Sequence, residues 1–129
     1  ANKIKPKQTL IEAKNNNSRV KFTGIITDSE LKQLVANADI FVFPSIYEGF
    51  GLPPLESMAA GTPVVASDAA SIPEVCGDAA LYFDPNNSKD IGYKILQMIN
   101  DDKLKISYRN KGYNRARKFN WENTAEQTI

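Results

Sequence analysis

No histidine occurs anywhere in the 129-residue chain, and cysteine occurs once, at Cys76. The first absence removes a Ser-His-Asp relay and any histidine-ligated metal from what these residues can build. The second removes an internal disulfide framework and a thiolate metal cluster, which suits a reducing compartment and makes the cytoplasm the expected location. Excess charge is lacking too. The formal net charge is +1, which gives no electrostatic case for nucleic acid, and no aromatic-basic module accompanies it. No apolar stretch approaches the roughly 20 residues that span a bilayer, and no stretch reads as a secretory leader. Peripheral attachment to the inner membrane would have to come through parts outside this sequence. There is no internal repeat and no low-complexity tract. What is present, 42% hydrophobic residues, is enough for a single globular domain, residues 1–129, with a sizeable core.

The hydrophobic pattern predicts an α/β, doubly wound parallel sheet. Apolar runs at 20–22, 40–43, 64–66 and 80–83 read as strands, and they alternate with helical patterns at 29–36, 53–60, 89–99 and 103–118. Asp84-Pro85-Asn86-Asn87-Ser88 is a turn signal, with Ser88 a plausible N-cap for the next helix. The cation-rich stretch 103–118 reads as a solvated helix face rather than a membrane surface.

The chemistry concentrates in Tyr47-Glu48-Gly49-Phe50-Gly51-Leu52-Pro53-Pro54-Leu55-Glu56-Ser57. It follows Asp39-Ile40-Phe41-Val42-Phe43-Pro44-Ser45, a compact apolar run that suits a buried parallel strand ending at the carboxyl edge of a sheet. Gly49 and Gly51 allow positive φ and close approach of main-chain N–H groups to a ligand, with Phe50 between them as a packing anchor. Proline is tolerated in the first helical turn, so Pro53 and Pro54 mark a helix start, and Gly61 marks its end. The free N–H groups and dipole of such a start attract phosphate. Glu48 in the loop and Glu56 about one turn into the helix could face one pocket and touch different parts of a ligand. A diphosphate joining a sugar to a ribose would fit. Taken alone, two glutamates at this spacing would be solvated surface groups, and a glycine turn before a helix would be ordinary loop geometry.

The context is more specific. Glu48 to Glu56 matches the E-x7-E motif of retaining glycosyltransferases of the two-domain GT-B fold, and the surrounding residues resemble the group-1 branch. Gly61-Thr62-Pro63-Val64-Val65-Ala66-Ser67, Ile72-Pro73-Glu74-Val75, Cys76-Gly77-Asp78-Ala79-Ala80 and Phe119-Asn120-Trp121-Glu122 resemble further segments of that family in the same order. The resemblance implies a Rossmann-like C-terminal donor-binding domain that lacks its first strands. It places Glu48 beside the reacting face of the donor sugar and Glu56 on the nucleotide ribose. The backbone of Gly49, Phe50, Gly51 and Leu52 would hold sugar hydroxyls and phosphate, and the loop at Gly24-Ile25 would receive the base. Ile25 and Ile26 also read as plain packing residues, Glu74 as charge on a first helical turn, and Trp121 as a core or interdomain anchor.

The family pattern opens this domain with a strand, a helix and a second strand carrying an arginine and a lysine for the diphosphate, whereas residues 1–17 resemble only the following helix. In the order 3-2-1-4-5-6 two strands would then fall between the first and second strands expected here. The sheet could be completed by another copy of the chain. The acceptor-binding domain is likewise not represented, so the isolated chain is expected to be inactive. The implied parent is a hexosyltransferase that uses a nucleotide-diphosphate sugar as substrate, with no metal or other cofactor, and passes the sugar to a polysaccharide or glycolipid acceptor. Ser71-Ile72-Pro73-Glu74-Val75 resembles mannosyltransferase members. The alternative is a non-catalytic nucleotide or sugar-phosphate binding module that keeps the pocket without the chemistry. Sugar, base and acceptor stay open at this level.

Overall fold

The computed structural model describes residues 19–45 and 52–127, with the backbone alone for Leu52 and for 120–127. Its centre is a three-stranded parallel sheet, β1 (Phe41–Phe43), β2 (Val64–Ser67) and β3 (Ala80–Phe83), in that spatial order. Phe41, Val42 and Phe43 stand opposite Val64, Val65 and Ala66, which stand opposite Ala80, Leu81 and Tyr82. Parallel neighbours need crossover connections, and helices supply them. α1 (Asp28–Ala36) precedes β1, α2 (Leu52–Ala59) joins β1 to β2, and α3 (Ile72–Cys76) with a 3-10 turn (Gly77–Ala79) joins β2 to β3. α4 (Ser88–Ile99) and α5 (Asp102–Gln127) follow.

Both faces of the sheet are covered, because strand side chains alternate with period two. Phe41, Phe43, Val64, Ala66, Ala80 and Tyr82 pack on one side with Leu55 and Met58 of α2, Ile72 and Val75 of α3 and Ala116 of α5. Val42, Val65, Leu81 and Phe83 point the other way, against Ile91, Ile95 and Met98 of α4 and Leu104 and Tyr108 of α5. The central strand β2 is therefore buried along its whole length, which explains its unbroken apolar run. Each fully buried valine there contributes roughly 1.5–3 kcal/mol. The doubly wound layout expected from the sequence is the one observed.

Several local expectations hold and several shift. α2 begins at Leu52 with prolines in its first turn and ends before Gly61, which takes φ of +85° and donates its N–H to the Met58 carbonyl. A side chain at Gly61 would also run into the Tyr113 hydroxyl. α4 is capped by Asn87 rather than Ser88: the Asn87 carboxamide oxygen accepts from the N–H groups of Lys89 and Asp90, which makes Ser88 the first helical residue. α1 carries a reciprocal cap, Thr27 with Glu30, that the Thr-x-x-Glu spacing announces. Residues 20–22 do not form a strand. Val20 and Phe22 are 37% and 46% exposed, because no strand among the described residues lies beside them to bond their backbone, and an extended segment without a neighbour has no ladder to join.

α5 also departs from a simple solvated face. Gly112 lets it approach α2, with the Met58 side chain 3.2 Å from where a Cβ would stand. Arg109 donates to the Gly61 carbonyl, and Arg115 donates to the carbonyls of Val75 and Glu74, so two of its cations cap the ends of other helices. Glu74 itself is exposed in the first turn of α3, as expected. Trp121 lies on the backbone of α5, and its side chain falls outside the described residues.

Cys76 is fully buried at the end of α3. Burial pushes its thiol up to about 11, and the nearby Arg115 only partly offsets this. Tyr82, whose hydroxyl donates to the Gly77 carbonyl, is also raised, chiefly by burial. A raised folded pKa means stability that is complete below the unfolded value and lost as pH climbs through the folded one. Stability should thus fall between pH 9.0 and about 11, at most about 1.4 kcal/mol per pH unit for this one thiol. Urea midpoints measured across that window should show a shallower slope in Cys76→Ala than in the unaltered protein.

Candidate functional site

The carboxyl ends of parallel strands are where open α/β sheets bind ligands. β1 ends at Phe43 and leads through Pro44 and Ser45 toward the start of α2. Glu48, Gly49, Phe50 and Gly51 fall outside the described residues. Leu52 opens α2. Because Pro53 and Pro54 have no N–H and the N–H of Leu55 falls within the intrahelical ladder, the first three residues of the helix offer one free donor, Leu52. The amide display at this end is therefore narrow and rests mainly on Leu52.

Glu56 sits one turn further along α2 and is exposed. Its neighbours Pro54, Leu55, Ser57 and Met58 are buried, so helix phase leaves Glu56 on the outward side, toward α1. There it lines a cleft of about 190 Å³ with Asp28, Leu31 and Lys32 from the first turns of α1. A larger cavity of about 560 Å³ adjoins it, floored by Phe41 of β1, walled by Leu31, Val35 and Ala36 of α1 and by Ala59 of α2, with Lys32, Pro53 and Glu56 also contributing. The lining is largely apolar with charge at Lys32 and Glu56, the composition of a site that takes a flat or sugar-like body and orients it by few polar contacts.

The C-terminal end of α1 is tied to the turn that follows α2 by a hydrogen bond. The Thr62 hydroxyl, just past Gly61, donates to the Val35 carbonyl at 2.7 Å, and Ser57 donates in turn to the Thr62 carbonyl at 3.3 Å. The α2–β2 turn thereby bonds α1 at the end of the helix away from the cleft. Gly24 and Ile25 lie just before α1. Gly24 adopts φ of +63° with open space where a side chain would be, and Ile25 is wholly exposed. Ile25 is thus not a packing residue here, and Ile26 is half-buried. The first turns of α1 and Glu56 therefore line one cleft, and neither Gly24 nor Ile25 is among the residues that line it or the adjoining cavity.

One stretch that sequence reasoning passed over shares the same edge of the sheet. After β2, Asp68 donates its N–H to the Phe83 carbonyl, Ala69 donates to the Ser67 hydroxyl, and Ala70 takes φ of +54°. A non-glycine residue in that region costs about 1–2 kcal/mol. Nothing in Asp68-Ala69-Ala70-Ser71 announces it, since alanine is not a usual left-handed residue. Asp28 and Lys32 were also unmarked, and their spacing of one helical turn was the one signal available.

A family model described as glycosyl transferases group 1 matches residues 2–118. The chain belongs to this family. Among curated relatives of the group-1 glycosyl transferase chain is O-antigen chain mannosyltransferase B of Escherichia coli, 44% identical over 120 residues, covering 93% of this chain and 32% of that protein. The serotype-specific mannosyltransferase WbdA of Escherichia coli is 37% identical over 112 residues, covering 87% of this chain and 14% of that protein. A solved sucrose-phosphate synthase from Thermosynechococcus elongatus superposes with a TM-score of 0.81 at 30% identity, over 95% of this chain and 31% of its own. The chain thus spans about a third or less of the length of these relatives. Its fold is that of the GT-B C-terminal domain, as the E-x7-E resemblance implied. Among the described residues, no helix is long and apolar enough to cross a membrane.

Proposed function

We propose that this group-1 chain is the donor-binding part of a retaining glycosyltransferase that moves a hexose, mannose by the names of its relatives, from a nucleotide-diphosphate sugar to a polysaccharide or glycolipid acceptor. The single observation that carries the reading is the position of Glu56. It stands one turn past the proline-marked start of α2, where it shares a cleft with Asp28, Leu31 and Lys32 from the first turns of α1. In that position a carboxylate accepts from two ribose hydroxyls while the Leu52 amide and the end of the helix dipole face the diphosphate. Glu48 is assigned to the donor sugar, where a carboxylate stabilises the positive charge that develops at the anomeric carbon as the diphosphate leaves. Gly49, Phe50 and Gly51 offer main-chain donors to sugar hydroxyls and phosphate, and the loop at Gly24 and Ile25 receives the base. No metal enters this scheme, and the acceptor is supplied by parts of the protein outside this chain. The expected location is the cytoplasmic side of the inner membrane, where a lipid-borne acceptor would be met. Pairing of two copies along the outer edge of β1, which has no partner strand among the described residues, is a further arrangement that the sheet would accept.

The test is calorimetric titration of nucleoside diphosphates into the full-length protein and its Glu56→Ala variant. Loss of the carboxylate's charge-assisted hydrogen bonds should weaken binding about tenfold or more. Equal affinity in the two proteins would remove Glu56 from the site and the reading with it.

A further inference from the structure

Lys32 is a charged group of the α1–α2 cleft to which donor binding by Glu56 and the helix start gives nothing to do. It follows Asp28 by one helical turn, so the two side chains share a face of α1, and both line the cleft that Glu56 closes from α2. Lys32 also lines the adjoining cavity together with Pro53, in the first turn of α2, and Glu56. Its stem therefore stands across from both the start of α2 and the carboxylate one turn in. Lys32 is exposed and forms no ion pair with Asp28 or Glu56 among the described residues. A nucleotide entering here brings negative charge toward two carboxylates, and like charges at short range repel. A flexible ammonium facing both is placed to offset that repulsion and to donate to phosphate oxygens, as lysine does as a compact point charge.

We infer that Lys32 is a positioning residue for the anionic part of the nucleotide, reaching from α1 to the phosphate held at the start of α2 while Glu56 takes the ribose. The inference rests on the donor-binding reading and adds to it a cation from a helix that the E-x7-E motif does not include. The Thr62–Val35 hydrogen bond ties the end of α1, one turn beyond Lys32, to the turn that follows α2.

The experiment titrates a nucleoside diphosphate into the full-length protein, Lys32→Gln and Lys32→Arg at low and high salt, with steady-state transfer measured in parallel. Lys32→Gln is expected to weaken binding about tenfold at low salt, with the deficit shrinking at high salt as screening sets in. Lys32→Arg should restore most of the affinity. In transfer assays the Lys32→Gln loss should appear in KM for the sugar nucleotide with kcat unchanged. Unchanged affinity in Lys32→Gln, failure of arginine to rescue, or a loss confined to kcat would overturn the inference while leaving donor binding in place. Failure of the unaltered protein to bind any nucleoside diphosphate would remove the donor-binding reading, and the inference with it.

Discussion

Replacing Glu48 by Gln in the full-length protein is expected to lower sugar transfer by about a hundred- to a thousandfold, the usual cost of deleting one preorganised group that stabilises transition-state charge. Nucleotide affinity should be unaffected, because the diphosphate and ribose are assigned to α2 and Glu56 and not to this side chain. The two glutamates are thereby separable by measurement: Glu56→Ala acts on binding, Glu48→Gln on the chemical step. With glutamine the side chain keeps its shape and its acceptor oxygen and loses the charge, so a large drop in kcat identifies the charge as the working element. If Glu48→Gln kept most of its transfer rate, the stabilising role would pass to other groups and the sugar would have to sit elsewhere. The result bears on the runner-up reading as well, since a binding module without chemistry would show no transfer to lose.

The largest effect on stability is expected from Phe83→Ala. Phe83 closes the last position of β3, is 1% exposed, and packs with Val65 and Met98 against Ile91, Ile95, Leu104 and Tyr108. Removing the ring takes away its transfer free energy and leaves a cavity that a sheet and two helices cannot readily collapse, about 3–5 kcal/mol in all. A domain of this size has about 5–15 kcal/mol in total, so the variant should lose a large part of its folding free energy. Urea unfolding reads this as a lowered midpoint with an unchanged slope. The cluster lies on the sheet face away from α2, so any protein that remains folded should keep its nucleotide affinity. A shift below about 1.5 kcal/mol, the scale of a volume-conserving swap, would mean that the ring is not packed as described.

How far the sequence could be read depends on the range of the interactions involved. β1, β2 and β3 were legible because consecutive apolar residues bounded by turns have few other uses in a chain of this composition. The start of α2 at its prolines and its end at Gly61 were legible because both are set by the covalent chemistry of a few adjacent residues. Residues 20–22 misled because a strand is defined by its neighbour, which a local pattern cannot supply. The cap of α4 moved by one residue because Asn87 and Ser88 are both competent and backbone geometry chose between them. The cations of α5 misled for the same reason as residues 20–22: nothing local says that Arg109 and Arg115 will turn inward to the carbonyls of Gly61, Glu74 and Val75.

By itself the sequence determined the parallel α/β architecture, the family through its motif and the accompanying segments, and the pair of acids at Glu48 and Glu56. Those are properties of order and spacing along one chain, and short-range sterics and hydrophobic periodicity suffice to express them. Only the tertiary structure decided that Glu56 faces Asp28 and Lys32 across a cleft, that Thr62 bonds the end of α1, and that Ala70 bends into the left-handed region beside the same sheet edge. Lys32 and Glu56 are far apart in sequence and share no local pattern. Their proximity is a matter of where distant segments stand in space, both lining one cavity with Phe41 of β1 while the end of α1 bonds the turn after α2, and no local pattern encodes that.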